Sequence, residues 1–105
     1  SPLDRMNKWE RRYSDHLEMF RMGHAITWWG FERLKLKLAR RAWYTPDFLV
    51  LFTNNAQRIV EVKGFKREAA IVRFKVAREL YGQLYQFQMV TWKDEQWVTI
   101  MGEPD

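Results

Sequence analysis

Apolar positions in the first part of the chain fall at helical spacing. Met6, Trp9, Tyr13, Leu17 and Phe20 recur every three or four residues and predict an amphipathic helix. Asn7 with Glu10 three residues on forms a capping-box pattern at its start. Gly23 is placed to end it, with His24 helping to close the helix. Ala25 to Phe31 holds Ile26, Trp28, Trp29 and Phe31 around a break at Gly30, and fits a short strand or an irregular connection equally. Glu32 to Ala39 is clearer. Leu34, Leu36 and Leu38 alternate with Arg33, Lys35 and Lys37, the period of a strand with one buried and one basic face. Arg40, Arg41 and Trp43 lead into a second apolar run, Phe48 to Phe52. Thr53-Asn54-Asn55-Ala56 has turn chemistry, and Arg58 to Val62 alternates again, so the pair reads as a hairpin. Glu68 to Leu80 predicts a second helix ended by Gly82. Its apolar face is Ala69, Val72, Val76 and Leu80, with Ala70, Phe74 and Ala77 alongside. Tyr85 to Val90 reads as a strand, Asp94-Glu95-Gln96 as a turn, Trp97 to Ile100 as a last short strand and Gly102 to Asp105 as a polar tail. Helix, three strands, helix and two strands imply an α/β (α+β) domain with a central mixed sheet and helices packed against it.

Length and composition narrow this. With 105 residues the chain suits one domain, residues 1–105, and an apolar content of 47% with six Trp and seven Phe can supply its core. Ser1 to Arg5 reads as a flexible arm or a cloning remnant, with Met6-Asn7 a plausible native start. The absence of cysteine excludes disulfides and thiolate zinc sites. Neither a signal pattern nor a membrane-length apolar run is present, so no membrane partner and a cytoplasmic setting are expected. The net charge of +5 favours a polyanion, and with many aromatics the first candidate is nucleic acid.

The candidate chemistry lies on the hairpin. Asp47 opens its first strand, and Glu61 and Lys63, two apart on the second, project to one face. Adjacent carboxylates resist ionising together unless a cation lies between them. A magnesium or manganese ion held by Asp47, Glu61 and the Val62 carbonyl, with Lys63 close by, would suit phosphodiester hydrolysis. The competing reading is an ordinary Pro-Asp turn beside a cross-strand charge pair. Glu10 lies roughly 20° around the helix from Leu17. It therefore sits at the edge of the buried stripe, as a third acid for the metal or as a helix cap. Glu18, on the same helix, reads as a solvated flank residue. His16 and His24 stand in no ligand spacing and read as surface residues.

Pro46-Asp47 with Glu61-Val62-Lys63 resembles the PD-(D/E)XK nuclease superfamily. The longer strings Tyr44-Thr45-Pro46-Asp47-Phe48-Leu49 and Glu61-Val62-Lys63-Gly64-Phe65 resemble small phage and prophage members, and the core of the junction-resolving phage endonuclease I family. The likeness runs from about Asn7 to Val90 and departs in length, that family having further basic C-terminal sequence. It implies an α-β-β-β-α-β core, an acid on the first helix, and a magnesium- or manganese-dependent DNA endonuclease of a phage or prophage in a bacterial host. Catalytic residues would be Asp47, Glu61, Lys63 and Glu10. Metal ligands would be Asp47, Glu61, Glu10 and Val62. Lys63 would orient or activate water and steady the phosphate.

Lys35, Lys37, Arg40, Arg41, Lys66, Arg67 and Arg73 are candidate contacts to DNA backbone. The lysine-bearing strand fits an edge guarded against self-pairing equally well. Trp28, Trp29 and Trp43 would be candidate dimer or base-stacking surface if exposed, with core packing the main expectation for each. A junction-cutting enzyme needs two sites and so implies a homodimer. The alternative from another class is a non-catalytic DNA-binding module on a degenerate nuclease fold.

Overall fold

The Asn7 side chain accepts from the Glu10 N–H at 2.8 Å, and the Glu10 carboxylate accepts from the Asn7 N–H at 2.9 Å. This reciprocal capping box starts the first long helix where the sequence predicts it. The computed structural model describes residues 2–64 and 68–104. In order, the elements are α1 (Pro2–Arg5), α2 (Lys8–Met22), β1 (Ile26–Phe31), β2 (Leu36–Ala39), β3 (Ala42–Tyr44), β4 (Phe48–Phe52), β5 (Gln57–Val62), α3 (Glu68–Tyr81), β6 (Gln86–Lys93) and β7 (Gln96–Gly102). Lys66 and Arg67 lie outside the described residues.

Five strands form one mixed sheet in the order β1-β4-β5-β6-β7, and β2 with β3 form a separate two-stranded ribbon. The β5–β6 pair is parallel, with α3 as its crossover, and the other pairs are antiparallel. The expected α/β architecture, a central mixed sheet with helices against it, is what the chain adopts.

Alternation along the strands gives the sheet two apolar faces. Phe48, Val50, Val60 and Val62 pack with Met6, Tyr13 and Leu17 beneath α2. Phe48 is central there, its ring 5.3 Å from Phe31, 5.4 Å from Tyr13 and 5.9 Å from Trp29. Burying one such side chain contributes about 2 kcal/mol. Ile59, Phe87 and Met89 face the other way, onto Phe74 and Ala77 of α3 and Leu36 and Tyr44 of the ribbon. Glu61 has the parity of Ile59, so it shares the face of α3 and the ribbon.

Several expectations are corrected. Of Ala25 to Phe31, Ile26–Phe31 forms strand β1, and Gly30 lies inside it instead of breaking it, at a position where a Cβ would stand 2.6 Å from the Trp28 ring. The predicted strand from Glu32 shortens to Leu36–Ala39, since Glu32 takes φ 52, outside strand geometry, and the strand joins the ribbon instead of the sheet. On α3 the buried residues are Phe74 and Ala77, while Val72, Val76 and Leu80 are exposed, so the apolar stripe predicted to pack faces outward. Trp43 is 44% exposed instead of lying in the core. The last strand extends to Gln96–Gly102, taking in part of the predicted tail. Arg5, assigned to a flexible arm, belongs to α1 and bonds Glu32 at 2.8 Å. His24, at φ 67, takes the left-handed position after α2, while Gly23 stays at φ -82. Glu18 accepts from the Arg21 guanidinium and the Trp29 indole, and these two hydrogen bonds hold its carboxyl down at about 2. His16 is half-buried, its ring centroid 5.2 Å from that of Tyr13 and 4.9 Å from that of Phe20.

Candidate active site

Asp47 stands immediately before β4 and Glu61 near the end of β5. The strands pair antiparallel with Phe48 opposite Val60, so the next step sets Asp47 opposite Glu61. Both are buried, 6% and 3% exposed. The Asp47 N–H donates to Glu61 Oε1 at 3.1 Å, and the Val62 N–H donates to Asp47 Oδ2 at 2.8 Å. The two acids therefore lock the hairpin end through each other's strand. Hydrogen bonds to a carboxylate are stronger than neutral ones, which offsets part of the cost of burying the charge.

Tyr44 completes the arrangement. Its hydroxyl donates to Glu61 Oε1 at 2.8 Å. Burial first, then the charge of Glu61 and its hydrogen bond, then Asp47, push the phenol far above its ordinary range. Tyr44 is held as a proton donor toward the acid pair. The ribbon register explains its position: Leu36 pairs with Tyr44 and both turn inward, while Lys37 pairs with Trp43 and both turn outward. Sequence reasoning missed Tyr44 as a site residue. Its only signal was its place three residues before Asp47.

Pro46 has a local role as well. Continuing the β4–β5 register places it opposite Val62, and it has no N–H to give the Val62 carbonyl. The Val62 N–H is already taken by the Asp47 side chain. This makes the Val62 carbonyl a suitable third oxygen beside the two carboxylates.

Lys63 is half-buried. Its N–H donates to the Val90 carbonyl at 2.7 Å, and its own carbonyl accepts from Thr91 Oγ1 at 3.0 Å. The parallel ladder thus continues through Lys63, the condition under which alternation carries from Glu61 to Lys63. Thr91 is a second supporting residue that the sequence did not reveal.

Glu10 is buried but engaged in the capping box. The helix that carries it covers the Val60 and Val62 face, opposite that of Glu61. Its first turn nevertheless reaches the end of β5, where a Cβ on Gly64 would stand 2.8 Å from Trp9 Cδ1. Glu10 and the acid pair share that end of the sheet. Among the described residues, no three of His, Cys, Asp and Glu gather as a group able to hold a metal ion. The donors that fit a hard cation are therefore Asp47, Glu61 and the Val62 carbonyl, with Glu10 at one remove.

Lys35, Lys37, Arg40 and Arg41 lie exposed on the ribbon and its turn, and Arg73 lies exposed on α3. Lys35 and Lys37 stand 5.1 and 5.9 Å from the Trp43 ring. Among the described residues no helix is long and apolar enough to cross a membrane. Compared with known proteins, the chain matches no family model and no curated protein, so the chemistry of this site rests on its own residues.

Proposed function

We propose that the protein is a divalent-metal-dependent DNA endonuclease that hydrolyses phosphodiester bonds. The observation that carries this reading is the buried Asp47–Glu61 pair, cross-linked at the hairpin end with Lys63 following in register. When bound, a magnesium or manganese ion contributes Lewis acidity toward a phosphate oxygen and lowers the pKa of a nearby water. Asp47, Glu61 and the Val62 carbonyl would supply its protein oxygens, with the Glu10 carboxylate as a more distant acid. The Lys63 ammonium orients the attacking water and steadies charge on the pentavalent phosphate. Tyr44 keeps the Glu61 carboxylate in place. The exposed cations of the ribbon and α3 hold the DNA backbone.

One observation favours a second reading, a DNA-binding module without catalysis. Among the described residues, every buried side-chain nitrogen or oxygen already has a hydrogen-bond partner, so the acid pair is structurally complete on its own.

Cleavage of supercoiled plasmid and of a labelled four-way junction, with magnesium, manganese or chelator, separates the two readings. The nuclease reading expects metal-dependent cutting that Asp47→Asn and Lys63→Ala lose while still binding DNA. Preference for the junction, together with a dimer by gel filtration, would assign the resolvase form. Binding without cutting under either metal would leave the binding module.

A further inference from the structure

The β2–β3 ribbon stands apart from the main sheet, and its two faces differ in chemistry. Leu36 and Tyr44 point inward to α3 and Glu61. Lys37 and Trp43 are cross-strand partners that point outward, and the Lys35 and Lys37 ammoniums stand over the Trp43 ring, 5.1 and 5.9 Å from its centroid, where a stacking base would displace them. The turn is Arg40-Arg41, and Arg41 holds φ 62, a conformation where Gly or Asn would be favoured. The turn of the β4–β5 hairpin does place an Asn at its left-handed position, Asn55 at φ 71. The ribbon therefore keeps one of the two cations at its tip, Arg41, against local backbone preference. It is also firmly held: the Tyr81 hydroxyl donates to the Lys37 carbonyl at 2.6 Å.

A partly exposed Trp with two lysines over its ring and two arginines at the ribbon's turn fits one occupant by charge and shape, a nucleic-acid strand with an unstacked base. Lysines and arginines match the phosphates, and an indole face accepts any base by stacking. A fully stacked duplex interior offers no base face to Trp43, whereas a fork, flap or branch does. Trp43 is also adjacent to Tyr44, so an outward strand contact and an inward acid-pair contact sit on consecutive residues of β3.

We infer that the ribbon selects the substrate: Lys35, Lys37, Arg40 and Arg41 grip phosphates while Trp43 stacks on an unpaired base, directing the acid pair to DNA with a single-stranded branch. This rests on the nuclease reading for what happens at the acid pair, but it is tested by binding alone.

The experiment measures anisotropy of a labelled fork and of a blunt duplex of equal length, in chelator, for the wild type, Trp43→Ala, Trp43→Phe, the Lys35→Ala/Lys37→Ala double variant and Arg41→Gly. The wild type is expected to prefer the fork by about tenfold, the scale of one base–aromatic stack. Trp43→Ala should lose that preference with its melting temperature kept, and Trp43→Phe should restore most of it. The lysine double variant should weaken both DNAs alike and lower the salt slope by about two. Arg41→Gly should bind more weakly without losing stability, because Gly suits the turn. Equal binding of fork and duplex by the wild type, or a preference that survives Trp43→Ala, overturns the inference. Neither outcome bears on metal-dependent cleavage, which stands or falls by the plasmid assay.

Discussion

Tyr44 keeps its hydroxyl proton because everything around it opposes a phenolate: burial, the Glu61 carboxylate it donates to, and Asp47 beyond. Tyr44→Phe removes that hydrogen bond to Glu61, which also accepts from the Asp47 N–H at 3.1 Å. A hydrogen bond to a charged group is worth about 2 kcal/mol, so the variant should melt roughly 10 °C lower at neutral pH. The pH dependence has a definite sign. The folded pKa is raised above the ordinary 10.0, so the contribution is fully present below pH 10.0. Above it the unfolded chain releases a proton that the folded protein retains, and stability falls as pH rises. Melting curves between about pH 9 and 11 should steepen downward in the wild type and less so in Tyr44→Phe. Parallel curves would mean that Tyr44 is not coupled to the acid pair. At this scale the acids were legible and the phenol was not. Asp47 and Glu61-Val62-Lys63 declare themselves by type and spacing. Tyr44 looks like any strand aromatic until the ribbon pairs it with Leu36 and turns it inward.

Glu10, in the first turn of helix α2, closes a capping box and is proposed to serve a metal as well, and the two duties can be separated by chemistry. Glu10 closes the capping box, which needs a hydrogen-bond acceptor, while help to a cation needs a negative charge. Glu10→Gln keeps the acceptor and removes the charge, so its melting temperature should stay near wild type while cleavage falls. Asn7→Ala removes the cap and should cost about 1 kcal/mol of stability with cleavage per folded molecule retained. Undiminished cleavage in Glu10→Gln would reduce Glu10 to a cap. The capping box was readable from sequence because it is local, four residues with fixed geometry. The packing side of α3 was not, because apolar residues occur almost all around it: Ala70, Ile71, Val72, Phe74, Val76, Ala77 and Leu80. Only the crossover from β5 to β6 decides that Phe74 and Ala77 turn inward. The β2 misreading has the same origin. Alternation marks a strand but does not say which sheet it joins, and the left-handed Glu32 detaches this one from β1.

Across the whole molecule the charges are sorted by depth. The buried side chains that carry formal charge among the described residues are Glu10, Asp47 and Glu61, all acids, while the ribbon and α3 cations lie outside. The formal charge of +5 therefore combines a more basic surface with negative charge held near one end of the sheet. Such an arrangement draws a polyanion to the outside and a cation to the inside. It also links stability to metal, because two neighbouring carboxylates repel and a bound cation relieves that repulsion. Asp47→Asn keeps an oxygen that can accept from the Val62 N–H and removes one of the two charges. Without divalent metal it should therefore melt no lower than the wild type, and its stability should rise by up to about 1 kcal/mol. Added magnesium or manganese should reverse the order. A ligand that binds only the folded state stabilises it by about 2.7 kcal/mol at a hundred times its dissociation constant, and that gain needs both carboxylates. Thermal melts of the wild type and Asp47→Asn across a metal titration read this without any DNA present. Crossing curves would assign the acid pair as the metal centre even if the right substrate had not been found. A wild type whose melting point ignores both metals would mark Asp47 and Glu61 as a structural lock of the hairpin end, and the molecule's business as DNA binding.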